Sequence, residues 1–326
     1  MPPAREVVDF IRSHGSFLVL GHREPDGDCI ASQIACARLL ESLGKKATLH
    51  SAGPFDRAEI EAFAESFSTE IAAGPRNGGA EDPAVIIVDC STPDRTGDIG
   101  GKVKGFDTLV IDHHSSGEVF GAARLVDSAA PSTTVLVLSL FDALGVSPDR
   151  DTARLLLFGL CTDTGFFRHL SLASGETFRA VARLTDLGTS TAEVFMMIYG
   201  RRELAGRRLL AEMLGRVESR WGDRFLLTWQ TIEDRRRLGV TQRGEEDLYR
   251  LLQTVRGNEV VALVKEEAEG SFSVGLRSMT SLDVGEIARS FGGGGHRQAS
   301  GFDISGTLAS IKEELFRVFA LHLSQM

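Results

Sequence analysis

The chain has 326 residues, enough for two ordinary domains with cores of their own. Hydrophobic residues make up 42% and charged residues 25%, no apolar run reaches membrane-spanning length, and no signal-peptide h-region follows Met1-Pro2-Pro3-Ala4-Arg5-Glu6, so a cytoplasmic protein is expected. Its 36 basic residues against 45 acidic ones (net −9) argue against the basic surface that grips long nucleic acids, and leave small phosphorylated ligands whose charge is met locally by metal ions.

Val7 to His14 reads as a short leading helix and Ser16-Phe17-Leu18-Val19-Leu20 as the first strand. The strand runs into a polar turn, Gly21-His22-Arg23-Glu24-Pro25-Asp26-Gly27-Asp28. Ile30 to Leu43 then carries apolar residues at helical spacing until Gly44 stops it. Lys46 to Leu49 suits a second strand. Ala84-Val85-Ile86-Ile87-Val88 is an apolar run closed by Asp89, and Phe106 to Asp112 repeats the pattern, ending in Asp112-His113-His114. Ala123 to Val126 is a further strand, followed by helices over Ser132 to Leu144, from Pro148-Asp149 to Thr164-Gly165, and on through Leu187 and Tyr199. Strands alternating with helices predict an α/β domain over 1–190 with a mostly parallel sheet. From 191 to 220 a helical stretch containing Arg207 and Arg208 reads as a solvated linker helix rather than an RNA-binding stripe. Beyond it, strands over Phe225 to Thr231, Val260 to Lys265 and Ser271 to Arg277 accompany helices over Glu246 to Val255, Val284 to Phe291 and Leu308 to Leu323. They predict a smaller α+β domain over 221–326.

A buried strand has little reason to finish in ionisable side chains unless they serve a site past its carboxyl end, where open parallel sheets bind their ligands. The acids and imidazoles expected at that edge are His22, Asp26, Asp28, Asp89, Asp112, His113, His114 and Asp163. Carboxylates packed together repel, and divalent cations remove the penalty. Singly, each has a plain reading: turn chemistry for Asp26-Gly27-Asp28, helix caps for Asp89 and Asp112, a surface imidazole for His22. Asp163 fits less well, because an acid at a helix carboxyl end opposes the dipole. Separate segments bringing so many ligand side chains to one edge outweigh the plain readings, and the number suits two ions sharing a carboxylate. Oxygen and nitrogen donors without a thiolate favour Mn²⁺ ahead of Mg²⁺, with Zn²⁺ or Fe²⁺ as further options. Cys29, Cys36, Cys90 and Cys161 form no CxxC pair and read as reduced packing residues.

His22-xxx-Asp26-x-Asp28, Asp89 after a strand, Asp112-His113-His114, and Asp163 in Thr162-Asp163-Thr164-Gly165 resemble the motifs of the DHH phosphoesterase superfamily. Gly292-Gly293-Gly294-Gly295-His296-Arg297-Gln298-Ala299-Ser300-Gly301 is similar to the glycine-rich signature of the DHHA1 domain. The resemblance covers nearly the whole chain, and the compact two-domain layout looks most like the NrnA-type nanoRNases, which are also pAp phosphatases. It implies that His22, Asp26 and Asp89 hold one ion and Asp28, Asp89, His113 and Asp163 the second, with Asp89 bridging. Catalytic roles are implied for Asp89, Asp112 and His114, with Asp112 orienting an imidazole and His114 contacting the substrate phosphate. In the second domain the implied substrate contacts are Arg277, Gly293, Gly294, Gly295 and His296, since glycine backbone approaches an anion closely. The departures are slight: Cys29-Ile30 follow Asp28, and Ser300 stands where the family often has alanine. Neither removes a ligand. Phe166 and Phe167 read as core residues rather than a stacking platform for a base.

The implied reaction is hydrolysis of a phosphate ester in a cleft between the domains, by hydroxide that two ions make available near neutral pH. Such a cleft favours short substrates: RNA a few nucleotides long, giving nucleoside monophosphates, and pAp, a nucleoside 3′,5′-bisphosphate, giving AMP. The rival reading is a cyclic or linear dinucleotide phosphodiesterase acting on c-di-AMP or pApA. The glycine-rich signature argues against an inorganic pyrophosphatase. A homodimer is an expectation from similar proteins.

Overall fold

The computed structural model describes residues 3–71, 82–90, 92–114, 117–170, 174–200, 202–241 and 244–323, in two compact units, Met1–Arg201 and Arg202–Met326. The first unit runs α1 (Arg5–Ser13), β1 (Ser16–Leu20), α2 (Gly27–Ser42), β2 (Lys46–His50), β3 (Ala84–Val88), β4 (Thr108–Asp112), β5 (Ala123–Val126), α3 (Thr133–Ala143), α4 (Arg150–Asp163), α5 (Gly175–Asp186) and α6 (Thr191–Tyr199). Its strands lie in the order β2-β1-β3-β4-β5 with every pairing parallel. The order reverses direction at β1 and β3, and the crevice beyond that reversal is where ligands of such sheets bind. His22 follows β1 and Asp89 follows β3 there.

Both faces of the sheet are covered, which is why β3 is apolar along its whole length. Phe17, Val19, Ile86, Val88, Leu109 and Ile111 face a core shared with α2, α3 and α4. Alternate residues Leu20, Val85 and Ile87 pack with Ile71, Ile99 and Val103 on the other side. α2 starts earlier than its apolar spacing predicts, because the Asp26 side chain accepts the Cys29 amide at 3.0 Å and caps the helix. That early start draws Asp28 into the first turn of a buried helix.

The second unit runs α7 (Leu204–Gly215), β6 (Glu218–Arg220), β7 (Phe225–Gln230), α8 (Ile232–Leu238), α9 (Glu245–Leu252), β8 (Val260–Ala268), β9 (Ser271–Ser278), α10 (Val284–Ser290), β10 (Gly294–Gly295), β11 (Ala299–Ser305) and α11 (Leu308–Leu323). Its sheet has the order β10-β11-β9-β8-β7-β6, antiparallel except for the β7–β8 pair. One face packs on α10 and α11 through Val264, Val274, Phe302 and Phe319, and the other on α7 and α9 through Leu226, Leu263, Leu248 and Met213.

The stretch expected as a solvated linker over 191–220 is built differently. α6 buries Val194 and Ile198 in the first core, and α7 buries Leu209 and Met213 in the second. Leu209 and Met213 stand four apart, an apolar stripe that the neighbouring arginines obscure in the sequence. Arg207 is ion-paired with Asp247 of α9 rather than solvated, and Arg201 lies outside the described residues. α8 and β11 were not expected. α8 is polar and held by a capping box between Thr231 and Asp234, and β11 begins in small residues. Among the described residues no helix is long and apolar enough to cross a membrane.

Candidate metal centre

Two imidazoles are held in the same way. His22 Nδ1 lies 2.8 Å from the Arg23 carbonyl, which can only accept, so Nδ1 carries the hydrogen and Nε2 faces Asp89 Oδ2 at 3.5 Å and Asp26 Oδ1 at 3.8 Å. His113 Nδ1 lies 3.3 Å from the Ala130 carbonyl, and its Nε2 faces Asp89 Oδ1 at 3.6 Å and Asp163 Oδ2 at 3.5 Å. These separations are too long for hydrogen bonds. Facing carboxylate oxygens, each Nε2 must carry a proton or meet a cation; against burial, Asp26 and Asp89 raise the pKa of His22, and Asp89 offers one oxygen to each ring. The donor set therefore fits divalent cations, which imidazoles hydrogen-bonded through their other nitrogen to backbone carbonyls commonly ligate. Ligand atoms of Asp28, His113 and Asp163 also fall within 4.8 Å of one another. Asp163 is the last residue of α4, where a cation, if bound, would remove its conflict with the dipole.

The carboxylates are themselves anchored, by groups whose partners lie far away in the chain. Asp28, fully buried, accepts the Thr133 amide on Oδ2 at 2.6 Å and the Thr134 amide and hydroxyl on Oδ1 at 3.0 and 2.8 Å. The Thr133 hydroxyl donates to Asp89 Oδ1 at 3.0 Å. The amino end of α3, with its unpaired N–H groups and positive dipole end, thus fixes two of the acids. Pro131-Ser132-Thr133-Thr134 signals a helix start, but its partner lies 105 residues away, beyond any local pattern. Gly159 of α4 makes room for this contact: a Cβ there would sit 2.5 Å from Thr134 Cγ2 and 3.0 Å from Asp28 Oδ1.

Asp112 is the end of β4 and caps no helix. Its Oδ1 accepts the His113 and His114 amides at 2.8 and 3.3 Å and His114 Nδ1 at 2.7 Å, so the imidazole it orients is that of His114. That hydrogen bond raises the pKa of His114, against partial burial. Phe166 and Phe167 pack on the first core, as expected, but in left-handed backbone conformations with φ of 57° and 71°.

Crowding shows in the titration of the acids. Burial, with Asp89 and Asp26 nearby and His113 opposing, pushes the Asp163 carboxyl up to about 6. Burial and the charges of Asp89, Asp163 and Asp26 raise Asp28 as well. A carboxyl whose folded pKa exceeds its unfolded 3.8 contributes stability below that value and loses it as pH rises through the folded pKa. Metal-free protein is therefore expected to melt lower at pH 7.5 than at pH 5, by several degrees if the loss is about 1–2 kcal/mol. Saturating Mn²⁺ should cancel the slope, because cations take the place of the protons. Thermal melts with and without chelator check this, and a metal-free Tm independent of pH across that window would contradict the crowding.

In the second unit, the glycine run divides its labour. Gly292, at φ 81°, ends α10 by donating to the Arg289 carbonyl. Gly293 lies against β11, where a Cβ would fall 2.3 Å from the Gly301 carbonyl oxygen, and Gly295 sits at φ 132° against Ser300. Gly294 has open space where a side chain would be. His296 is exposed in the turn joining β10 to β11, its amide donating to the Ala299 carbonyl at 2.8 Å. The register aligns Gly294 with Gly301, Gly301 with Gly275, and Ala299 with Arg277. Bare backbone thus adjoins Arg277, whose guanidinium lies 4.3 Å from the Tyr249 ring centre and 3.1 Å from exposed Glu246.

Comparisons with known proteins place the chain in a family. The model of the DHH family N-terminal domain matches residues 16–160 and that of the DHHA1 domain residues 232–321. The chain is 30% identical over 323 residues to the bifunctional oligoribonuclease and PAP phosphatase NrnA of Thermus thermophilus, covering 96% of this chain and 94% of that one. It is 23% identical over 327 residues to the cyclic-di-AMP phosphodiesterase GdpP of Geobacillus thermodenitrificans, covering 95% of this chain and 48% of that one. Its fold matches the crystal structure of an exopolyphosphatase-related protein from Bacteroides fragilis with a TM-score of 0.84 at 19% identity, over 99% of each chain. The chain belongs to the DHH family of phosphoesterases, with a DHHA1 domain following the DHH domain.

Proposed function

We propose that this chain hydrolyses short RNA oligonucleotides to nucleoside monophosphates, and a nucleoside 3′,5′-bisphosphate (pAp) to AMP, with two divalent cations, Mn²⁺ first and Mg²⁺ as substitute. The observation that carries the reading is the pair of imidazoles aimed at opposite oxygens of Asp89. Such an arrangement suits two cations sharing a carboxylate, the device used for in-line displacement at phosphorus. His22, Asp26 and Asp89 would hold the first, and Asp28, Asp89, His113 and Asp163 the second. When bound, the cations supply Lewis acidity toward phosphate oxygens and a water acidic enough to ionise near neutral pH.

In the reaction the water oxygen forms a new bond to phosphorus as the bond to the sugar oxygen breaks, and the sugar leaves as its hydroxyl. His114, with Nδ1 committed to Asp112 and its pKa raised by that bond, would as imidazolium donate from Nε2 to a non-bridging phosphate oxygen and meet the charge that grows there. Arg277, His296 and the open backbone of Gly294 take the nucleotide end, while Gly293 and Gly295 shape the hairpin that presents it. Similarity over the full length to an oligoribonuclease and PAP phosphatase supports these substrates. Likeness to a cyclic-di-AMP phosphodiesterase supports a second reading, hydrolysis of c-di-AMP or pApA.

A turnover panel separates them. Purified protein with Mn²⁺ is expected to release monophosphates from RNA dinucleotides and AMP from pAp, and to stop when chelator is added. Preferential cleavage of c-di-AMP or pApA would establish the second reading, and turnover of inorganic pyrophosphate alone would overturn both.

A further inference from the structure

We propose that Cys29 is a sulfur ligand to the first cation, so that this half of the centre discriminates against Mg²⁺ in favour of Mn²⁺ and, more strongly, of thiophilic ions (Zn²⁺, Co²⁺ or Fe²⁺), while the other half keeps oxygen and nitrogen donors alone. The inference rests on the reading that His22 and Asp89 hold a cation and adds a donor to it. Cys29 Sγ, a ring nitrogen of His22 and a carboxylate oxygen of Asp89 lie within 4.8 Å of one another, and all three residues are buried.

The sulfur is fixed there. A Cβ on Gly21 would fall 2.2 Å from Cys29 Sγ, so the side chain fills the space beside the residue preceding His22. The amide nitrogen of Gln33 is bonded to the Val19 and His50 carbonyls at 3.0 and 2.9 Å, which turns its Oε1 toward Cys29 Sγ at 3.6 Å. With S–H directed at Gln33, the sulfur lone pairs are left for the His22 and Asp89 side. On coordination the S–H proton passes to solvent, the hydrogen bond to Gln33 Oε1 is given up, and the sulfur–metal bond forms in its place. Cys90 supplies the contrast. It follows Asp89 as Cys29 follows Asp28, yet it joins none of the three-residue ligand groups among the described residues. Cys36 and Cys161 sit in the apolar core.

Cobalt titration of the full-length, metal-free chain tests this through a readout separate from catalysis. Bound Co²⁺ should give visible d–d bands together with a sulfur-to-cobalt charge-transfer band in the near ultraviolet. Cys29→Ser and Cys29→Ala should lose the near-ultraviolet band and keep visible ones, and Cys90→Ser should keep both. In competition, the Cys29 variants should bind Zn²⁺ at least about tenfold more weakly, with Mg²⁺ affinity unchanged. Visible bands without the near-ultraviolet band in the natural sequence, or a band that survives both Cys29 variants, would overturn the Cys29 assignment and leave the metal centre standing. Absence of any cobalt spectrum would overturn the metal centre and this inference together.

Discussion

Asp89→Asn is expected to lower kcat/KM on short RNA by at least about a thousandfold and to release bound Mn²⁺, while the chain stays folded. Asp89 faces Nε2 of His22 with one oxygen and Nε2 of His113 with the other, a position between the two rings that, among the described residues, it alone occupies. Its backbone lies in the left-handed region at φ 55°, a conformation that costs most residues 1–2 kcal/mol but that asparagine tolerates as aspartate does. The Thr133 hydroxyl can still donate to the retained carbonyl oxygen. Substitution by asparagine therefore removes charge with little change of shape. Metal content by mass spectrometry, circular dichroism and steady-state kinetics on the same preparation check it. Retention of both metal and turnover would mean that the two imidazoles do not share this carboxylate.

The edge at which this site forms was legible because apolar strands advertise where they stop. Val88 to Asp89 and Ile111 to Asp112 each mark the carboxyl end of a buried strand, and the strand boundaries follow closely. What holds the ligands in place was not legible, since it depends on groups that carry no local signal. Thr133 and Thr134 look like an ordinary helix start until α3 is seen to end on Asp28. The choice of His114 over His113 as the partner of Asp112 depends on the turn of the backbone after β4, which exchanges two adjacent and chemically identical rings. Cys29 reads as a packing thiol because its neighbour Asp89 is far away in the chain. The helix over α7 was legible, but its burial was not, because its buried face is narrow: Leu209 and Met213, a turn apart, beside Arg207 and Arg208.

The same limitation governs the glycine run, whose members look alike in sequence and differ in what surrounds them. Gly293→Ala is expected to destabilise the second unit by about 1–3 kcal/mol or more, the usual cost of forcing a methyl group into filled space. The obstacles are a backbone oxygen of Gly301 at 2.3 Å and Phe302 Cβ at 2.4 Å, on a strand paired along its length with β9, and Phe302 is further held by stacking on Phe291 with ring centres 4.3 Å apart. Neither neighbour is a flexible side-chain end that can give way. Gly294→Ala meets nothing within 4 Å and needs no left-handed backbone, so its melting should match the parent. If bare backbone at Gly294 is where the nucleotide approaches, the added methyl raises KM for pAp about tenfold with kcat nearly unchanged, the signature of lost uniform binding. A Gly294→Ala chain with parental KM would assign recognition to Arg277 and His296 and leave the glycines a purely structural duty. Stable Gly293→Ala protein would instead mean that β10 can slide away from β11, and that the hairpin is not the fixed platform its register implies.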